Sequence, residues 1–309
     1  MRKILLSSAV SFALLLAAAG PVRAAEVPRC VGSYSQSTIY SGQNPIENLI
    51  VGGGGVLYAS GNEGDAGVLK AYTKGVTTPR TVTTGKPGGG GLAWEGRKLL
   101  WGYGDLLANG QTGDVDPKAG LYRVNTVTGA KRVVSDHLGM ANGIARGRDG
   151  SVYASNTFGV KLDRITRSGV TQNGWAGVGS ANGLVVGKNG RYLYANQMLE
   201  SPSKIARIDI RSPSRVGTFF TSPEGTNSLF DGLARDGRNN LYVAVFGKGE
   251  VWKVGQDRQA CVLATGLSQT TSVAISGARK GFRAGNLYAA GFDGKIIQVT
   301  GATKARNPS

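Results

Sequence analysis

Six short segments with an aromatic core residue recur along the chain: Leu57-Tyr58-Ala59, Leu100-Trp101-Gly102, Val152-Tyr153-Ala154, Leu193-Tyr194-Ala195, Leu241-Tyr242-Val243 and Leu287-Tyr288-Ala289. The steps between successive aromatics are 43, 52, 41, 48 and 46 residues. A period of roughly 40 to 50 residues is that of a four-stranded propeller blade. Forty-nine glycines and few helix-like stretches fit many short strands joined by tight turns. The sequence therefore predicts an all-β, six-bladed β-propeller.

The last repeat shows three strand signals before a polar tail. The segment from Ser37 to Gly42, ahead of the first repeat, resembles Cys261 to Gly266 and is expected to supply the missing outer strand. An N-terminal strand of this kind closes the ring and removes exposed sheet edges. The longer second step reflects an insertion, Asp105 to Lys118, between the second and third strands of blade two. Its Asp105, Asp114 and Asp116 are expected in a solvated loop, with a lid or accessory calcium loop as the alternative.

Before the repeats, Met1-Arg2-Lys3 precede an apolar run from Ile4 to Ala19, and small residues are placed for cleavage after Ala24. That is the pattern of a secretory signal. The run is short for a membrane span, and no later stretch approaches the roughly 20 apolar residues one needs. Residues 1–24 are thus expected to be a signal peptide, and 25–309 a single propeller domain, periplasmic or secreted and monomeric. Cys30 and Cys261 are the two cysteines. In an exported chain they predict one disulfide and make a poor metal site. Loss of Arg2, Lys3 and Arg23 leaves 33 basic against 19 acidic side chains, about +14. The basic residues are scattered, with no run of five, which argues against a dedicated nucleic-acid or heparin patch and suits an anionic cell envelope.

Aligning the repeats on their aromatics brings six innermost-strand starts into register: Glu47, Gly90, Asn142, Asn182, Asp231 and Thr271. The innermost strands surround the propeller axis, so these lead residues are expected to meet around it. Glu47, Asn142, Asn182 and Asp231 offer side-chain oxygen. Two carboxylates and two amide carbonyls suit a hard divalent cation such as calcium better than zinc or copper. The competing reading is that Asn-Gly and Asp-Gly merely make turns.

The stretches "ENLIVGGGGVLYAS", "MANGIARGRDGSVYAS", "SANGLVVGKNGRYLYAN" and "FDGLARDGRNNLYVA" resemble the gluconolactonase/regucalcin family over nearly the whole mature chain. Paraoxonase and strictosidine-synthase-like propellers are more distantly similar. The resemblance implies a single axial metal held by Glu47, Asn182 and Asp231, with Asn142 beside it as ligand or substrate contact. It also implies that Asp231 is the general base or nucleophile, and that the reaction is hydrolysis of a lactone or related small-molecule ester.

Other hydrolytic machinery is sparse. One histidine excludes a His pair, and no G-x-S-x-G elbow is present. His137 lies five residues before Asn142 and is expected near the same mouth, as a turn histidine or in a proton-transfer role. Connections leaving the second strands carry Phe158, Met198, Leu199, Phe246 and Phe292. This apolar set either caps the blades or lines the substrate mouth, and in the latter case favours a hydrophobic lactone over a sugar lactone. Two other functions stay open: a non-catalytic envelope-binding propeller with a structural ion, and a propeller enzyme of strictosidine-synthase-like type.

Overall fold

The computed structural model describes residues 25–308, so the expected signal peptide, residues 1–24, lies outside the described residues. The predicted repeat becomes six four-stranded antiparallel sheets. The inner strands are Ile46–Val51, Leu92–Glu95, Ile144–Arg146, Ala181–Val186, Phe230–Arg235 and Thr270–Ile275. Each begins a meander whose later strands lie progressively further out. Blade six takes its outermost strand from the N-terminus: Ser35–Tyr40 pairs antiparallel with Ile296–Thr300. This is the closure expected from the sequence.

The repeated aromatics fill the wedges between blades. Tyr58 packs with Leu92 and Trp94 of blade two, Tyr153 with Leu184 and Leu193 of blade four, and Tyr242 with Val273 and Leu287 of blade six. Tyr288 closes the ring against Leu49 and Leu57 of blade one. Each such buried side chain contributes about 1.5 to 3 kcal/mol by leaving water.

Blade two departs from the sequence register by one residue. Tyr58, Tyr153, Tyr194, Tyr242 and Tyr288 all pair with the residue three after their blade's lead position. In blade two that partner, Ala93, pairs with Leu100, whereas Trp101 pairs with Leu92. Strand side chains alternate between faces, so a shift of one residue turns a side chain over. Leu100 accordingly packs toward Ile144 and Val152 of blade three, while Trp101 faces backwards onto Leu69 and Val82 of blade one.

Cys30 and Cys261 form the predicted disulfide across 231 residues of chain. Around it, the Cys30 N–H donates to the Val262 carbonyl (3.0 Å) and the Val262 N–H to the Pro28 carbonyl (2.7 Å). The N-terminal segment is thus fastened to the outer edge of blade five before it enters blade six. No helix among the described residues is long and apolar enough to cross a membrane.

Candidate functional site at the propeller axis

Four of the six lead residues sit at irregularities in the ladder between inner and second strands. Pairing slips between Ile46 and Asn48, Ala181 and Leu184, Phe230 and Leu233, and Thr270 and Ser272. Glu47, Asn182, Asp231 and Thr271 are therefore released from regular pairing, the local device by which a bulge re-aims a side chain. The glycines that follow do not make turns. A Cβ on Gly143 would stand 2.2 Å from the Asn182 carbonyl oxygen, one on Gly183 2.5 Å from that of Asp231, and one on Gly232 2.5 Å from that of Thr271. Each glycine lets its inner strand press against the lead residue of the next blade. Asn-Gly and Asp-Gly thus mark close packing around the axis.

The structure brings Glu47, Asn142, Asn182 and Asp231 together. Asn142 Nδ2 donates to Glu47 Oε1 at 3.3 Å, and the Asn182 amide lies near enough to the Asp231 carboxylate to favour its ionised form. Asn142, Asn182 and Asp231 are buried, while Glu47 is half-buried.

A fifth member of the cluster was not expected there. Asp105, assigned by sequence to a solvated loop, accepts from Asn142 Nδ2 at 3.1 Å through Oδ1 and 3.3 Å through Oδ2. Blade two is the blade whose lead residue is glycine, and that glycine makes the room: a Cβ on Gly90 would lie 3.0 Å from the Asp105 Cβ. Asp105 reaches the axis from the end of the second strand, Lys98–Tyr103, with its N–H donating to the Gly88 carbonyl (3.1 Å). The rest of the insertion is also ordered. It holds the short helix Leu107–Thr112, whose Gly110 lies against Phe158 and Met140. Asp114 clasps it to blade three, accepting from Asn156 Nδ2 (3.1 Å) and the Val160 N–H (2.7 Å). Asp116 stays exposed and paired with Lys118.

Three carboxyls in one poorly solvated place raise one another's proton affinity. Burial, then the charges of Asp105 and Asp231, hold Glu47 well above the usual carboxylate range. Burial and the charge of Asp105 do the same to Asp231. Burial pushes Asp105 from 3.8 up to about 6, against the lowering effect of its bonds to Asn142 and Glu47. Within this cluster the Asn142 Oδ1 is buried with no hydrogen-bond partner. An orphaned amide oxygen beside disfavoured negative charges is a donor set that fits a hard cation. Even so, no group of three or more His, Cys, Asp or Glu among the described residues stands in a metal-holding arrangement.

A second layer fixes the backbone behind these side chains. Ser60 Oγ donates to the Gly90 carbonyl (2.5 Å), Ser155 Oγ to that of Asn182 (2.6 Å) and Asn196 Nδ2 to that of Asp231 (2.6 Å). Each donor stands two residues after its blade's aromatic and grips the lead residue of the next blade. The sequence signal was present in Tyr58-Ala59-Ser60, Tyr153-Ala154-Ser155 and Tyr194-Ala195-Asn196, and sequence reasoning missed it.

Of the residues expected at the mouth, Met198 touches the cluster, its Sδ 3.3 Å from Asn182 Nδ2. Phe246 and Phe292 pack edge to face with ring centroids 5.8 Å apart. Phe158, Leu199 and Phe292 remain 41%, 48% and 38% exposed, apolar side chains where solvated turns would be polar. His137 is not drawn in. It is the penultimate residue of the outermost strand of blade two, Lys131–Leu138, with its side chain 72% exposed and beside Asp136.

No protein-family model and no curated protein matches the chain by sequence. Solved structures do match in shape. A gluconolactonase from Xanthomonas campestris superposes with a TM-score of 0.69 at 15% identity, over 89% of this chain and 95% of that one. Regucalcin from Agrobacterium tumefaciens, a calcium-binding protein, gives 0.63 at 15% identity, over 86% and 92%. Virginiamycin B lyase from Staphylococcus aureus gives 0.58 at 12% identity, over 87% and 99%. The chain has the six-bladed propeller fold that gluconolactonase and regucalcin structures share, with a cluster of acids and amides at its axis.

Proposed function

We propose that the protein is an exported hydrolase of lactones or related esters, acting at the axial cluster with one divalent cation, most simply calcium. The observation that carries the proposal is the convergence of Glu47, Asp105, Asn142, Asn182 and Asp231 around the buried, unpartnered Asn142 Oδ1. Glu47, Asp105, Asn142, Asn182 and Asp231 would hold the ion. When bound, it draws charge from the ester carbonyl and from the oxyanion that forms as water adds.

The protein's own groups supply the remainder. Asp231 takes a proton from the attacking water as its oxygen bonds to the carbonyl carbon, and returns the proton to the alkoxide as the C–O bond breaks. Burial opposes the ionised form of Asp231, and a cation held by the cluster would favour it. Asn142 and Asn182 orient the carboxylates. The exposed apolar side chains of Phe158, Leu199 and Phe292, with those of Met198 and Phe246, favour an ester with an apolar body over a sugar lactone.

Export rests on the N-terminal signal pattern, and the disulfide fits an oxidising compartment. The scattered positive charge suits association with an anionic envelope, and residues 25–309 are proposed to act as one monomeric domain. The test is hydrolysis by purified mature protein of a panel of aliphatic and sugar lactones and aryl esters, with and without chelator. Chelator-sensitive turnover, greatest on apolar lactones, is expected. Absence of turnover on every ester, with calcium present, would reject the hydrolase.

A further inference from the structure

The axial cluster occupies one end of the central channel, and a different site lies at the other. Beyond the lead residues the six inner strands enclose a cavity of about 500 Å³. Its walls are mixed: Ile50, Ile144, Leu184, Val185, Leu233 and Val273 contribute apolar surface, and Asn48, Ser272, Ser276 and Asp236 contribute polar surface. Three guanidinium groups, Arg146, Arg148 and Arg235, also line it.

The charge of these arginines is poorly compensated. Glu95, 4.0 Å from Arg146, is already gripped by Arg123, whose Nη2 donates to Glu95 Oε1 at 2.8 Å. Arg148 donates to the Lys188 carbonyl. Arg235 donates to the carbonyls of Val186 (2.7 Å) and Asp236 (3.2 Å). The Asp236 carboxylate is saturated elsewhere, accepting from the N–H groups of Arg238 and Asn240, from Asn240 Nδ2 and from the Tyr242 hydroxyl. Burial, then the neighbouring Arg148, depress the proton affinity of Arg235 against the opposing charge of Asp236.

We propose that this end of the channel is a second binding site, which takes an amphipathic carboxylate: an apolar chain along the inner strands and a headgroup held by Arg148 and Arg235, with Arg146 nearby. Arginine presents a planar fork matched to a carboxylate, and the free N–H groups of Arg148 and Arg235 provide it. A volume of several hundred Å³ suits a ligand of about ten carbons. The site shares no side chain with the axial cluster and stands whether or not that cluster hydrolyses esters.

Decanoate is the probe, titrated into the mature protein below its micelle concentration and followed by calorimetry and tryptophan fluorescence. One molecule should bind, decanol should bind roughly 10-fold more weakly, and R148Q and R235Q should each weaken decanoate by about the same factor. Trp94 lines the cavity, whereas Trp101 and Trp252 are fully buried in the blades and Trp175 lies on Thr171–Gly177, the outermost strand of blade three. W94F should therefore abolish the decanoate-induced fluorescence change. That readout decides the matter if an arginine variant does not fold. Equal affinity for decanol, binding of many molecules per chain, an R148Q/R235Q protein of unchanged affinity, or a full fluorescence response from W94F would each overturn the proposal.

Discussion

At the scale of single residues, charge crowding at the axis sets the behaviour. Asp231→Asn keeps size and an oxygen donor but removes the basicity, so turnover of a responsive lactone at saturating calcium should fall roughly 10²- to 10⁴-fold. Unaltered turnover would remove Asp231 as base. Asp105 makes a separate prediction with a pH signature. Its folded pKa, about 6 against 3.8 ordinarily, means that in chelator the protonated form stabilises the fold. That stabilisation is present below the unfolded value and is lost as pH rises through about 6. The melting temperature of chelated protein should therefore rise as pH is lowered from 7 toward 5. Calcium should reverse the trend, because its binding requires the ionised carboxylates. Asp105→Asn should reduce the pH dependence in chelator, leaving the part that Glu47 and Asp231 contribute, and weaken calcium binding by about 10-fold or more, since ligand charge count sets affinity. A chelated variant with the pH profile of the parent would show that Asp105 is not among the titrating groups.

At the scale of elements, the inner strands position the site through close backbone contact, and glycine is what permits it. A Cβ on Gly183 would lie 2.4 Å from the Leu233 nitrogen and 2.5 Å from the Asp231 oxygen. Both are backbone atoms that cannot rotate away. Gly183→Ala should therefore separate blades four and five at the axis, cost about 1 to 3 kcal/mol, and displace Asn182 from Asp231. Denaturant unfolding measures the first effect and calcium titration the second; calcium affinity equal to the parent's would mean that the spacing does not matter. The same element-level geometry explains what the sequence disclosed. Glu47, Asn142 and Asp231 lie 11 residues before their blade's aromatic and Asn182 lies 12 before its own, so aligning the repeats found them. Asp105 has no counterpart in other blades. Its place follows from Gly90 leaving a vacancy next to a second-strand end, a spatial relation that one-dimensional spacing does not encode. Trp101 misled by one position for a related reason: the period locates a strand, but which of two adjacent residues faces the next blade depends on pairing with Ala93. Ser155 and Asn196 lay in plain view beside the aromatics. Their partners are carbonyls 27 and 35 residues away, and backbone acceptors leave no trace in the side-chain sequence.

At the scale of the whole molecule, a ring is only as durable as its seam. Blade six joins the two ends of the chain, with Ser35–Tyr40 on Ile296–Thr300. The N-terminal stretch leading into it is held by the Cys30–Cys261 disulfide, by the bonds of Pro28 and Cys30 to Val262, and by pairing of Val31 with Arg306. The crosslink spans 231 residues, so reducing it returns considerable freedom to the unfolded chain, and a long-loop disulfide of this kind contributes about 2 to 4 kcal/mol. For a chain of this size, roughly 2 °C of melting temperature accompanies each kcal/mol. Cys30→Ser with Cys261→Ser should therefore melt about 4 to 8 °C lower. The loss should be local as well as global. Without the crosslink, the strand Ser35–Tyr40 opens more often than the inner strands do, and protease should cut near residues 25–41 before any other part of the chain. Each opening bares the edge of Ile296–Thr300, whose Ile296, Ile297 and Val299 are buried in the closed ring. An unpaired apolar edge is a template for another chain. The double variant should accordingly form concentration-dependent oligomers on size-exclusion chromatography at temperatures where the parent elutes as a single species. First cleavage elsewhere, with an unchanged melting temperature, would place the weakest joint of the ring at some other blade.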